Sequence, residues 1–192
     1  GSLWGRPFYI LREAWNILNA IAEGKIESGD EKKLNALKGE TMAVIALCQF
    51  DLTRCFGYPY TKDNGASLGA PLIDHLVGTY ENPSRSTVAQ AYDFIIETLE
   101  EAVTLMSEEK NNGRMNKYAA RALLARVYLY HNDNRKAFDM ADQLIKDVDA
   151  SGSYALYPHE KYVAAWSVET KFGSESFFEI ANSVDDTPGR DS

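Results

Sequence analysis

Apolar side chains recur every three or four positions along most of the chain, a spacing that predicts helices rather than strands. The first helix is read over Trp4–Glu23, where Phe8, Leu11, Trp15, Leu18 and Ile21 form one stripe and Gly24 supplies a stop. Glu27–Lys33 is polar and reads as a loop. A second helix then runs from about Lys32 to Cys55, with Ala43, Ala46, Leu47, Phe50 and Leu52 inside it. Gly57-Tyr58-Pro59 closes it, because proline and the residue before it resist helical continuation. Thr87 and Gln90 have the spacing of a capping box, in which each side chain satisfies a backbone N–H of the other residue. Val88, Tyr92, Ile95, Ile96, Leu99, Val103 and Met106 follow at helical spacing, so the third helix is expected to end near Glu109. The fourth spans Asn116–His131 and is rich in alanine; the fifth spans Arg135–Val148, with Ala137, Ala141, Leu144, Ile145 and Val148 on one face.

Between the second and third helices, residues 57–85 form a long irregular stretch punctuated by Gly57, Pro59, Gly65, Gly69, Pro71, Gly78 and Pro83. A loop of that length inside a compact domain is usually functional or disordered. Tyr154-Ala155-Leu156-Tyr157 reads as a short extended segment, Ser176–Ala181 as a short strand or buried run, and Asp185–Ser192 as a polar, frayed end. Sliding the second helix by 79 positions lays Lys38, Ala43 and Ala46 on Lys117, Ala122 and Ala125. Small residues at matched offsets let paired helices approach closely, as stacked helical hairpins require. The expected fold is therefore all-α: one tetratricopeptide-like domain of stacked hairpins over 1–192, with a long loop and minor extended segments. Alanine at helical spacing also has a simpler source in helix propensity alone.

The 192 residues carry a formal net charge of −8, which argues against a nucleic-acid partner, since phosphate binding needs a basic face. The apolar runs are far shorter than the roughly 20 residues needed to span a bilayer. Cys48 and Cys55 lie seven residues apart on one predicted helix, an axial rise of about 10.5 Å. A disulfide needs Cα atoms within about 7 Å, so both are read as buried small hydrophobes.

Catalytic constellations are weak. His75, His131 and His159 are scattered, without metal-ligand spacing, and no phosphate-cradling loop, dinucleotide fingerprint or nucleophile elbow occurs. Glu97, Glu100, Glu101, Glu108 and Glu109, assigned to the third helix, read as a solvated face rather than an acid/base pair. No metal, cofactor or catalytic residue is expected. Aromatic side chains are the better lead, because eleven tyrosines and three tryptophans exceed what a small core needs. A flat ring covers the apolar face of a sugar while Asp, Asn or Arg side chains bond its hydroxyl rim. Tyr58, Tyr60, Asp63 and Asn64 in the long loop are the candidate ligand-binding residues on that logic. Packing of both tyrosines onto the helices is the competing reading. Shallow sites of this kind bind in the millimolar to micromolar range, about 4–8 kcal/mol.

Several segments together resemble the SusD/RagB family. They are Trp4 and Tyr9 with Trp15-Asn16-Ile17-Leu18; Leu37-Lys38-Gly39-Glu40; Phe50 with Arg54 through Tyr60; and Arg85-Ser86-Thr87-Val88 with Tyr92. The strongest is Gly113-Arg114, Lys117 and Ala119–Tyr130, followed in family order by Ala137–Ile145, Tyr154-Ala155-Leu156 and Glu175–Ile180. The resemblance implies a tetratricopeptide-like scaffold and non-catalytic capture of an oligosaccharide or polysaccharide. It also implies a lipid anchor placing the protein on the surface of the bacterial outer membrane, and a SusC-like TonB-dependent transporter as partner. The chain departs from the pattern in length, appearing as part of a longer protein without the C-terminal half, in lacking the lipidated cysteine, and in carrying Thr41 after Gly39-Glu40 where alanine is usual. From the residues alone, a tetratricopeptide adaptor gripping a peptide in a concave groove is the alternative; it should show at least three repeats and a basic or Asn-lined groove.

Overall fold

A computed structural model describes residues 3–26, 29–166 and 172–180. It contains five long helices: α1 (Gly5–Ala22), α2 (Glu31–Phe56), α3 (Val88–Leu105), α4 (Lys117–Tyr130) and α5 (Asn134–Ser151). Two short strands, β1 (Leu68–Pro71) and β2 (Arg85–Thr87), pair antiparallel, and a four-residue helix, α6 (Tyr162–Ala165), follows α5. Among the described residues no helix is long and apolar enough to cross a membrane.

Four of the five long helices, α2 to α5, begin where a short polar side chain replaces the missing intrahelical acceptor. Asp30 accepts from the N–H groups of Lys32 and Lys33, Asn116 from Ala119, and Asp133 from Lys136. Thr87 and Gln90 form the expected capping box reciprocally. At the other end of α5, Gly152 adopts the left-handed conformation (φ 64°), which costs glycine nothing.

The helices stack in sequence. α1 packs along α2, α2 along α3, α3 against α4 and α4 along α5, giving the tetratricopeptide-like stack expected from the pattern. The main core runs through α2–α4, around Phe50, Tyr92, Ile95, Leu99, Leu124 and Val127, all buried. A second cluster joins Leu11 and Ala14 of α1 to Ile45, Cys48 and Leu52 of α2 and to Ala70 and Ile73 of the loop. Close approach of α2 to α3 depends on Gly39, where an added Cβ would lie 2.9 Å from the Ala102 carbonyl oxygen and 3.0 Å from Leu105 Cβ. Gly39→Ala should therefore destabilise despite the gain in helix propensity of about 1 kcal/mol. Overpacking of this kind costs about 1–3 kcal/mol, and we expect a lower urea midpoint; an unchanged or raised midpoint would show that the helices separate freely.

Four expectations need correction. α3 ends at Leu105, so Glu108 and Glu109 lie in the connection to α4. Met106, 4% exposed, is drawn into the core with an extended backbone, and the Glu108 and Glu109 carbonyls accept from Asn116 Nδ2 instead of continuing a helix. Cys48 is buried, and desolvation pushes its thiol up to about 11, but Cys55 faces solvent on the last turn of α2. Of the two alternatives for Ser176–Ala181, the strand does not form over 176–180; Phe177 and Phe178 are partly buried against the core, where Phe177 meets Tyr154 edge-on. The stretch 57–85 is more ordered than its composition suggests, containing a 3-10 turn (Tyr60–Lys62) and the two strands. Ala181 and the segment Asp185–Ser192 lie outside the described residues.

Candidate functional site

The loop 57–87 folds back over one end of the stack and is fastened there by side chains of α1 and α2 and by the backbone at the start of α3. Trp15 of α1 donates its indole N–H to the Ile73 carbonyl (3.1 Å). Gln49 of α2 donates to the Pro71 carbonyl (3.1 Å) and accepts from the Ile73 N–H (3.3 Å). At the start of α3 the Val88 and Ala89 N–H groups, orphaned by the helix start, reach the Ser67 and Gly65 carbonyls (both 2.9 Å). Arg85 clamps the strand pair by donating to the Gly69 and Leu68 carbonyls (2.7 and 3.0 Å).

This anchoring separates the four predicted ligand residues. Tyr60 is half-buried, its ring edge-on to Tyr92 (5.7 Å) and tilted on His131 (4.3 Å); it is the packing residue of the pair. Gly65 (φ 75°) makes room for it, since a Cβ there would sit 2.7 Å from the Tyr60 ring. Asp63 is engaged within the loop: the Ser67 hydroxyl donates to it and holds its carboxyl below the usual carboxylate range, aided by backbone N–H groups of Ser67 and Ala66. Asn64 is exposed in a left-handed conformation (φ 54°), the tip of the turn. Tyr58 remains open, 57% exposed, with the Lys62 ammonium 3.1 Å from its ring centroid.

Sequence reasoning missed a second aromatic group, centred on Trp4. Phe56 lies two residues before Tyr58 and packs edge-on against Trp4 (4.7 Å), which in turn meets Phe8 (5.0 Å). Trp4 and Phe56 are both partly exposed, so the end of α2 and the start of α1 present adjoining aromatic rings. Trp4 and Phe8 also form one wall of a cleft of about 390 Å³, whose other wall comes from Pro71, Ile73, His75, Val77 and Pro83. Arg12 is the cation on the helical wall. The signal for this site was the placement of Trp4 and Phe56 at helix ends; the linear reading used them only for the family resemblance and put Phe8 in the apolar stripe of α1.

Three carboxylates outside the cleft tie helices together. Glu40 accepts two bonds from Arg114 (2.9 and 2.5 Å) and one from the Met115 N–H, tying α2 to the start of α4. Glu100 accepts from the buried Tyr128 hydroxyl (2.5 Å), and Glu101 pairs with Lys38 (3.0 Å). Among the described residues no group of His, Cys, Asp and Glu is arranged to hold a metal ion.

The scaffold is a stack of helices with a cleft at one end, lined by Trp4 and Phe8. Residues 1–129 match the SusD-like family model described as starch-binding and associating with the outer membrane, and the chain belongs to that family. A SusD superfamily protein from Bacteroides vulgatus is 96% identical with a TM-score of 0.96, over 100% of this chain and 43% of its own. A second, from Bacteroides thetaiotaomicron, is 39% identical with a TM-score of 0.89, over 95% of this chain and 39% of its own. The fold extends to a laminarin-binding SusD-like protein at 24% identity and a TM-score of 0.75, over 95% of this chain and 38% of that protein. No curated protein matches. The chain thus spans about two-fifths of the length of these solved relatives.

Proposed function

We propose that this protein captures an oligosaccharide or polysaccharide at the bacterial cell surface and passes it to a SusC-like TonB-dependent transporter without chemically altering it. A lipid anchor on the outer membrane would hold it there. The observation that carries the reading is the exposed Trp4 ring, which lines the cleft and packs edge-on against Phe56, in a chain of a starch-binding family; the exposed Tyr58, two residues beyond Phe56, adds a further ring. Rings of this kind cover the apolar face of a pyranose, and Asn64, Arg12 and the cleft-wall polar groups supply donors and acceptors for its hydroxyls. Of the four candidate residues, Tyr58 and Asn64 are assigned to ligand contact. Tyr60 and Asp63 are assigned to shaping the loop.

The test is calorimetric titration with maltohexaose, followed by a glycan array if starch fragments fail to bind. Trp4→Ala and Tyr58→Ala should each weaken affinity about 3- to 10-fold, the equivalent of about 0.7–1.4 kcal/mol. Binding unaffected by either change would move the site elsewhere, and no binding to any glycan would sink the capture reading. Co-purification of a TonB-dependent transporter from outer membranes, and its absence without the protein's own expression, checks the partner.

A further inference from the structure

One imidazole spans the turn that forms the outer wall of the cleft. His75 Nδ1 lies 2.6 Å from Asp74 Oδ1 and its Nε2 lies 2.7 Å from Glu81 Oε1. The second Glu81 oxygen accepts the Gly78 N–H (3.1 Å), and the Glu81 N–H returns to the Gly78 carbonyl (3.1 Å). Ionised carboxylates only accept hydrogen bonds, and a neutral imidazole has a single N–H. Both contacts can therefore be hydrogen bonds together only when the ring is an imidazolium; deprotonation sets a ring lone pair against a carboxylate. We propose that residues 74–81 form a proton-operated clasp that fixes the wall of the Trp4–Phe8 cleft.

The wall is fixed at its base, at Ile73 and at the β1–β2 pairing beyond Pro83, and conditional in the turn between. At Ile73 it is held by Gln49 and Trp15 whatever the pH, since neither side chain titrates in the ordinary range. Beyond Ile73 the chain runs through His75 and Val77 to Pro83, and the His75 bridge is what ties the start of this turn to its end. The charged groups on the turn's own side are Asp74 and Glu81. From the facing helix, Arg12 lines the cleft with its guanidinium held by Glu13 (2.8 Å).

The electrostatics agree in sign. Hydrogen bonding to Asp74 first, and then to Glu81, raises His75 above its ordinary 6.5. The Gly78 N–H first, and then His75, hold Glu81 below its ordinary 4.5. A raised histidine contributes fully below 6.5 and loses its contribution as pH climbs through the raised value. A depressed carboxylate contributes above 4.5 and loses its contribution as pH falls through its lowered value. The clasp is thus closed at pH below 6.5 and released as pH climbs through the raised His75 value. Its bearing on ligand capture rests on the glycan reading above; the clasp itself does not.

The test is first made on the full chain without ligand. The His75 ring should titrate above 6.5 by NMR. Protection of the Gly78 amide, corrected for intrinsic exchange, should fall at least about tenfold between about pH 5.5 and 8.5. In His75→Gln that protection should be low and independent of pH. Titration of His75 at or below 6.5, or the same fall in the variant, would overturn the clasp. Maltohexaose affinity is then compared at the two pH values. Tighter binding in acid that vanishes in His75→Gln supports a clasp acting on the glycan site. Affinity flat with pH removes that action, and absence of any maltohexaose binding counts against the capture reading while the ligand-free results still decide the clasp.

Discussion

Replacing Gln49 by leucine is expected to lower stability by about 2–5 kcal/mol and to loosen the loop selectively. Gln49 is completely buried in α2, and its amide serves both the Pro71 carbonyl and the Ile73 N–H. Leucine fills nearly the same volume, so the loss is not a cavity. It is two backbone polar groups, one part-buried and one buried, left without their partners, each costing about 1–3 kcal/mol. β1 ends at Pro71, which has no N–H of its own to offer a neighbouring strand, so the side chain from α2 takes over where the ladder stops. Trp15 still holds the Ile73 carbonyl, so the segment should open rather than detach. Equilibrium unfolding in urea measures the first effect, and amide exchange across 71–84 the second. A variant within about 0.5 kcal/mol of the parent, with unchanged exchange, would show that the loop is held from elsewhere.

The helices were legible because their signals are local. A capping pair at Thr87 and Gln90, an Asn or Asp before α4 and α5, and a three-to-four-residue apolar repeat are each contained within one element. What the sequence reading misplaced was decided by distant partners. Ser107-Glu108-Glu109 has good helix propensity, yet the connection is bent by burial of Met106 and by Asn116 reaching back to two of its carbonyls. Strands β1 and β2 are four and three residues long and set among glycines and prolines, too short for a period of two to register. Tyr58 and Tyr60 look equivalent in the chain. A pocket made by Tyr92, His131 and the bare Cα of Gly65 draws one inward and leaves the other to solvent. The cleft was invisible for the same reason: Trp4 and Val77 are far apart in sequence, and only the fastening of Ile73 brings their segments face to face.

Phe50→Ala is expected to be the most damaging single truncation among the aromatic residues described, at about 3–5 kcal/mol. The ring is 1% exposed and lies edge-on to Tyr92 of α3 (6.2 Å) and Tyr130 of α4 (5.4 Å), so three helices meet on it. Arg54 covers both Phe50 and Tyr130 (4.8 and 5.4 Å to the ring centroids), closing the solvent side. Its removal leaves a void that the backbones of three packed helices cannot easily collapse to fill, and forfeits two aromatic contacts worth about 0.5–1.5 kcal/mol each beyond area. Tyr92 is also part of the socket that receives Tyr60, so the damage should reach the loop. Phe50→Leu keeps most of the volume and should cost no more than about 1.5 kcal/mol. Urea unfolding of both variants, with amide exchange at residues 60–67, separates the two parts of the prediction. A Phe50→Ala cost below about 1 kcal/mol would mean that α2, α3 and α4 are held together without this ring, and unchanged exchange at 60–67 would mean that Tyr60 keeps its socket without it.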